Sequence, residues 1–312
     1  MTARADILVI KFSALGDVVM AFPAFARIRA GHPNAPITLL TTPPFEALAK
    51  ASPYFDRVWA DGRPDGGLGW LGLILRLRRA RFARVYDLQG NDRTRLIRRA
   101  LGPFAPVWSE AGPAEMHPLE RHARQLQQAG IWPDAPTAPM SAPAPDVSWL
   151  IGGADRAPGA RPVALLIPGS AATRPLKRWP AERYGALAAA LIERGFDVAV
   201  IGAEPERALA GIIRQAAPAV RDLTGKTDLA AIARLAASAA IVVGNDTGPT
   251  HLAAAAGAPT VALFSSDSSP ALSAPRGAVT VVQRDTLTDL DVAEVLAATE
   301  GRALNKDASA RI

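Results

Sequence analysis

Short apolar runs recur along the chain, each bounded by turn residues and followed by a stretch whose apolar positions repeat at helical spacing. Ile7-Leu-Val-Ile10 reads as a strand buried on both faces, and a loop then leads into a predicted helix over residues 17–30. Further strands are predicted over 37–41, 57–60 and 84–88, with helical stretches between them. The same grammar restarts at 163–167. Helices over 180–194, 204–216, 228–238 and 249–256 then alternate with strands over 197–201, 220–223, 240–243 and 260–264. Asp228 suits a helix N-cap, and Gly195 and Gly257 suit helix stops. This alternation predicts two doubly wound α/β domains, residues 1–150 and 151–312. Ligands are expected at the carboxyl ends of the strands and in the cleft between the domains. Seven prolines among small residues in 133–162 predict an extended linker, and the polar residues 301–312 a frayed end.

Composition narrows the chemistry. At 312 residues, 49% hydrophobic and 21% charged, the chain is globular and long enough for two cores. Zero cysteines exclude disulfides, thiolate metal sites, iron–sulfur clusters and a cysteine nucleophile. Four scattered histidines argue against a histidine-rich metal site. The longest uncharged run, 247–266, is broken by Gly257 and Pro259, so it reads as a buried helix and strand rather than a membrane span. The run from Ile7 to Ile10 is too short for a signal-peptide core, which leaves the cytoplasm as the expected location.

The net charge of +6 is unevenly placed: residues 1–150 hold 18 Lys and Arg against 13 Asp and Glu, and the rest 17 against 16. Between Arg76 and Arg99, nine arginines face only Asp87 and Asp92. Such a stretch suits a phosphorylated substrate, an anionic membrane surface or nucleic acid, or else is a pair of solvated helix faces. No aromatic residues interleave as in single-strand binders, so nucleic acid is the weakest of these partners.

Several familiar motifs fail. Gly225-Lys-Thr227 resembles the tail of a phosphate-binding P-loop, but Val220 stands where that motif needs glycine. No Gly-x-Gly-x-x-Gly follows either domain's first strand, which disfavours a dinucleotide-dependent dehydrogenase, and no Gly-x-Ser-x-Gly elbow is present. Asp289-Leu-Asp291 has the form of a metal-holding Asp-x-Asp, yet it lies where a last helix begins, where acidic residues favour the helix dipole.

Two loops survive, each leaving a strand and opening a helix. Lys11-Phe-Ser-Ala-Leu-Gly-Asp17 gathers a cation, the Ser13 hydroxyl and the Asp17 carboxylate, although Asp17 alone would pass for an N-cap. Gly244-Asn-Asp-Thr-Gly-Pro-Thr-His251 opens a small-residue helix whose unpaired N–H groups suit phosphate oxygens, with Pro249 in a first turn that needs no N–H from it. His251 either faces those phosphates or caps a core contact. Pro168-Gly-Ser-Ala-Ala-Thr-Arg174, leading to Lys177-Arg-Trp-Pro180, adds hydroxyls and a lysine on a neighbouring strand end. Glu204 and Glu206 follow the strand ending at Ile201, where a carboxylate can hydrogen-bond a ribose or simply occupy a first helical turn.

Together, Lys11-Phe-Ser-Ala-Leu-Gly-Asp-Val18, Pro168-Gly-Ser170, Lys177-Arg-Trp-Pro180 and Asn245-Asp-Thr-Gly-Pro-Thr-His251 resemble glycosyltransferase family 9, the ADP-heptose:lipopolysaccharide heptosyltransferases. Asp87-Leu-Gln-Gly90 and His117-Pro-Leu-Glu-Arg121 resemble weaker patterns of that family's first domain. The likeness runs in order along nearly the whole chain. It implies a GT-B fold, two Rossmann-like doubly wound domains with a cleft between them, the acceptor on the first and the nucleotide sugar on the second. It implies an inverting transfer of heptose from ADP-heptose to the lipopolysaccharide inner core, with no metal and no cofactor beyond the co-substrate.

By the same resemblance, Asp17 is the general base. Lys177, Ser170, Thr173 and the Asp246-Thr247-Gly248 loop with His251 hold the donor, and Glu206 or Glu204 holds its ribose. Asp246 is expected to orient backbone N–H groups or touch the sugar, since a carboxylate repels a diphosphate. Lys11, Ser13, Gln89, Arg93, Arg95 and Arg121 are expected to meet the anionic acceptor, with peripheral contact at the cytoplasmic face of the inner membrane. The alternatives are the same machinery with another nucleotide sugar or glycan acceptor, and a nucleotide-sugar-binding protein without transfer.

Overall fold

The computed structural model describes residues 6–102, 107–110, 112, 115–152, 161–171 and 173–309, with side chains as far as Gly301. The chain forms two compact units, Met1–Pro143 and Ala144–Ile312. In the first, the strands are β1 (Ile7–Ile10), β2 (Ile37–Leu40), β3 (Arg57–Trp59), β4 (Arg84–Asp87) and β5 (Val107–Glu110). All pairs are parallel, in the order β3-β2-β1-β4-β5. The helices are α1 (Leu15–Val19), α2 (Phe22–Gly31), α3 (Glu46–Ala51), α4 (Gly66–Ala80), α5 (Asp92–Leu101) and α6 (Pro118–Gln128).

Alternation along the strands divides the core. Leu8 and Ile10 of β1 join Leu40 and Val85 in a cluster with Leu73, Ile74 and Leu77 of α4 and Ile97 and Leu101 of α5. Leu39 turns to the other face, toward Phe22 and Phe25 of α2, and α2 packs on α6.

The second unit begins with a helical turn, α7 (Ser148–Ile151). Its strands are β6 (Val163–Ile167), β7 (Asp197–Val200), β8 (Arg221–Asp222), β9 (Ile241–Asn245), β10 (Thr260–Phe264) and β11 (Val279–Gln283). Its further helices are α8 (Ala181–Glu193), α9 (Arg207–Ala216), α10 (Leu229–Ser238), α11 (Gly248–Ala255), α12 (Pro270–Ser273) and α13 (Val292–Ser309). The sheet is parallel in the order β11-β10-β9-β6-β7-β8, which places the unit's first and fourth strands side by side, as in dinucleotide-binding folds. Ala164, Leu166, Val198, Val200, Ile241, Val243 and Leu263 pack under Tyr184, Leu187 and Leu191 of α8 and Ile213 of α9. Each large apolar side chain fully buried in this way contributes about 1.5–3 kcal/mol.

Four local expectations change. The helix expected over 17–30 is two, α1 and α2, because the Pro23 ring excludes the carbonyl of residue 19, where α1 stops. The proline-rich 133–162 stretch is no free linker: α7 forms within it and packs on α10, with Val147 and Leu150 buried; its residues 153–160 lie outside the described residues. Residues 301–309 continue α13 rather than fraying, and 310–312 lie outside the described residues. The edge strands β5 and β11 were not expected.

Gly211 sits inside α9 at an exposed position, and nothing lies within 4 Å of where its Cβ would stand. Gly211→Ala is therefore expected to raise stability by about 0.5–1 kcal/mol, read as a higher urea midpoint at unchanged slope.

Candidate active site

In an open parallel sheet, ligands meet the carboxyl ends of the strands where the strand order reverses. In the first unit that point lies between β1 and β4, where Ile10 pairs with Asp87. Lys11 follows directly and is 2% exposed. Its Nζ donates to the Leu88 carbonyl oxygen at 3.2 Å, and His122 Nε2 donates to the same oxygen at 3.2 Å. Burial pushes the Lys11 ammonium down from 10.5 to about 8; Asp17 opposes the shift, Arg121 adds to it and Asp87 opposes it again. Burial, with the charges of Lys11 and Arg121, holds His122 well below 6.5, so its imidazole is neutral.

Asp17 stands third in α1, and its Oδ2 accepts the Ala14 N–H at 3.1 Å. It is therefore not the N-cap but the residue that reaches back to it, an arrangement that fixes one carboxylate oxygen. The Asp17 charge acts on both Lys11 and Arg121, and Asp87 acts on the same two cations. Burial lowers the Arg121 guanidinium and raises the Asp87 carboxyl, as it lowers Lys11, so these three groups share a poorly solvated environment.

Gln89, expected to meet the acceptor, has a structural task. Its Oε1 accepts the Phe12 and Ser13 N–H groups at 2.9 and 3.3 Å, which ties the loop after β1 to the end of β4. Asp87 Oδ1 in turn accepts the Gln89 and Gly90 N–H groups at 3.0 and 2.9 Å. Ser13 Oγ accepts from Arg63, a residue that no motif singles out. Arg93 and Arg95 lie on α5 and make surface contacts: Arg93 lies 5.5 Å over the Trp70 ring, and Arg95 pairs with Asp92 at 2.6 Å.

The buried Lys11 has a pH signature. Its folded-state value lies below the unfolded one, so the unfolded chain binds the extra proton between about pH 8 and 10.5, and stability rises with pH across that window. Lys11→Met is expected to abolish this rise, measured as urea midpoints at pH 8 and pH 10.5. A rise that persists in the variant sinks the assignment.

In the second unit the strand order reverses between β6 and β9. Asn245, fully buried at the end of β9, joins the surrounding segments: its Oδ1 accepts from the Trp179 N–H at 3.2 Å and the Tyr184 hydroxyl at 3.1 Å. Its Nδ2 donates to the Pro168 carbonyl at 2.7 Å. Those bonds bring Lys177, two residues before Trp179, to the start of α11.

There Lys177 Nζ donates to Asp246 Oδ2 at 2.5 Å, with the side chains 13% and 6% exposed. His251 Nε2 lies 3.6 Å from Asp246 Oδ1, so this imidazole turns to the carboxylate. Burial alone would raise Asp246; hydrogen bonds from His251, Lys177 and Ser268 and the Lys177 charge outweigh it and hold the carboxyl at about 2. Asp246 thus engages side-chain donors rather than the backbone N–H groups that were one expectation for it. An ammonium has three donors and Asp246 takes one.

Thr247 is the N-cap of α11 and spends no side-chain hydrogen bond on the cap; Gly248 follows as the first helical residue. Ser170 is less available than expected, since its Oγ accepts from Arg178 Nε at 3.2 Å and its carbonyl from Arg178 Nη2 at 2.7 Å. Thr173 is exposed in the turn before Lys177.

The two glutamates separate clearly. Glu204 forms a two-pronged surface pair with Arg207, at 2.7 and 2.6 Å. Glu206 accepts the Ala203 N–H at 2.7 Å, and its carboxylate lies over Gly169 and Gly202, at the ends of β6 and β7, where any Cβ on Gly169 would collide with it. Asp291, of the Asp-x-Asp, lies 3.5 Å from Arg183 and directly precedes α13. Among the described residues, no three His, Asp or Glu side chains are arranged to hold a metal ion, and no helix is long and apolar enough to cross a membrane.

Comparison with known proteins places this geometry. A curated Haemophilus influenzae relative that bears a glycosyltransferase name is 32% identical over 76 residues, which is 24% of this chain and 22% of that protein's length. The structure of E. coli ADP-heptose lipopolysaccharide heptosyltransferase II matches with a TM-score of 0.75 at 24% identity, covering 97% of this chain and 99% of that one. E. coli heptosyltransferase WaaC with ADP matches with a TM-score of 0.76 at 21% identity, covering 95% and 99%. These structures share the fold, GT-B, with its two Rossmann-like domains. The profile of glycosyltransferase family 9 (heptosyltransferase) matches residues 117–288, from the start of α6 to just before α13, and the chain belongs to that family.

Proposed function

We propose that the protein is an inverting glycosyltransferase that moves heptose from ADP-heptose to the inner core of lipopolysaccharide. The observation that carries this reading is Lys177 beside the N-terminus of α11, held there by Asp246. A diphosphate that leaves an anomeric carbon gains negative charge as the bond breaks. A partly buried ammonium and a helix N-terminus stabilise that charge where it develops. Glu206, with its carboxylate over Gly169 and Gly202, is the ribose ligand in this reading, since Glu204 is engaged by Arg207.

The reaction balances simply. The acceptor oxygen forms a bond to the anomeric carbon from the face opposite the diphosphate. The carbon–oxygen bond to the diphosphate breaks, ADP departs with the electron pair, and the hydroxyl proton passes to the free oxygen of Asp17. Arg121 and Lys11, within the field of Asp17, offer the positive charge that an acceptor carrying carboxylates and phosphates requires. Support for the sugar comes from the two E. coli structures, one named for ADP-heptose and the other holding ADP.

Calorimetric titration with ADP, GDP and UDP in the presence of EDTA tests the donor. Selective ADP binding without metal is the expected result. Preference for UDP or GDP would discard heptose from ADP-heptose, and loss of ADP binding on chelation would discard the metal-free mechanism.

A further inference from the structure

Helix α4 carries an apolar stripe on the wrong side for the core. Its inner face, Leu73, Ile74 and Leu77, is buried in the first unit's cluster. Its outer face presents Leu68, Leu71 and Leu75, which are 87%, 55% and 40% exposed. These stand at i, i+3 and i+7, one line along a helix, and Arg79 continues the line at i+11. The outer side is also sterically open, with nothing near the Cβ positions of Gly67 and Gly72.

Charge surrounds this stripe. Helix α5 packs beside α4 over the same sheet face and adds exposed Leu96, Arg95 and Arg99. Arg79, Arg81 and Arg99 have no ion-pair partner among the described residues. Of the other arginines, Arg78 donates to the Ala100 carbonyl, Arg98 pairs with Glu110, and Arg95 with Asp92. The acidic groups on this side are Asp61, Asp92 and Glu110, paired with Arg76, Arg95 and Arg98, and Asp65 at the N-cap of α4.

We propose that the outer face of α4 and α5 docks on an anionic lipid bilayer, with Leu68, Leu71 and Leu75 in the headgroup–acyl boundary and Arg79 and Arg99 at the lipid phosphates. Water-exposed leucines in line cost free energy that an acyl layer recovers, and unpaired arginines at its edge meet the negative surface potential. A second copy of the chain fits less well, because a self-complementary contact would set Arg79 and Arg99 against their own like charges. The proposal rests on this surface alone and stands apart from the assignment of the donor.

The test is flotation of the full chain with vesicles of phosphatidylglycerol mixed into phosphatidylethanolamine, against vesicles of phosphatidylcholine alone. Wild-type protein is expected to float with the anionic vesicles and not with the neutral ones. The L68S/L71S/L75S variant should lower the bound fraction at least about tenfold, and R79E/R99E should lower it in a salt-dependent way. All five side chains point away from the core, so both variants should keep wild-type circular dichroism and ADP affinity. Undiminished vesicle binding by the leucine variant overturns the proposal, as does wild-type protein that ignores anionic vesicles. A lipid-free dimer that the leucine variant dissociates would instead make the occupant a second copy.

Discussion

Asp17→Asn is expected to lower the rate of sugar transfer by about 10²–10⁴-fold and to leave ADP affinity unchanged. Asparagine is the informative substitution because Asp17 has two tasks in the structure. One oxygen accepts the Ala14 N–H and holds the first turn of α1, and an amide oxygen does that equally well. The other oxygen is the one proposed to take the acceptor's proton, and an amide cannot. Asp17→Ala removes both, so a loss shared by the two variants belongs to the chemistry, while an additional loss in alanine belongs to the turn. The proposed function places the nucleotide on the second unit, and its affinity is therefore the control. Wild-type turnover in Asp17→Asn would remove the residue from the mechanism.

Lys177→Ala has the second large effect, on stability and on affinity together. Asp246 is 6% exposed, and removing its ammonium partner leaves a buried carboxylate held mainly by His251 and Ser268. Breaking a buried pair from one side costs about 3–5 kcal/mol. The double variant Lys177→Met with Asp246→Asn removes both charges and should recover much of that stability. It should not recover ADP affinity, because the cation proposed to meet the diphosphate is gone. Recovery of both would make the pair purely structural.

Acid provides an independent check on the same pair. Asp246 is held at about 2 against an ordinary 3.8, so its stabilising contribution is complete above 3.8 and lost as pH falls toward 2. That contribution is about 2 kcal/mol. Unfolding midpoints of wild type and Asp246→Asn should therefore converge in acid.

What was legible in the sequence follows physical lines. Strands buried on both faces, such as Ile7–Ile10 and Thr260–Phe264, announce themselves as apolar runs. The edge strand Val107–Glu110 does not, because its Val107 and Glu110 are exposed and only half of it packs. Loops that leave a strand and open a helix could be found from glycine, proline and hydroxyl residues, and that located both Asp17 and the Asp246 loop. Partnership across long separations was not legible. Nothing local tells that Lys177 lies against Asp246, that Gln89 is spent on the Phe12 and Ser13 N–H groups, or that Arg178 claims Ser170. The choice between Glu204 and Glu206 likewise depends on a neighbouring arginine and on two distant glycines.

The buried amide of Asn245 has a consequence for how the donor loops move. One side chain holds the exit of β6, the segment that carries Lys177 and a helix of the core, through Pro168, Trp179 and Tyr184. Opening any one of these segments exposes a polar amide whose other bonds then fail as well, so the loops share a single opening free energy. Lys177, the cation proposed for the diphosphate, is thus mounted on the scaffold rather than on a hinge. On the proposed function, substrate entry and release are therefore expected to proceed without local unfolding of these walls.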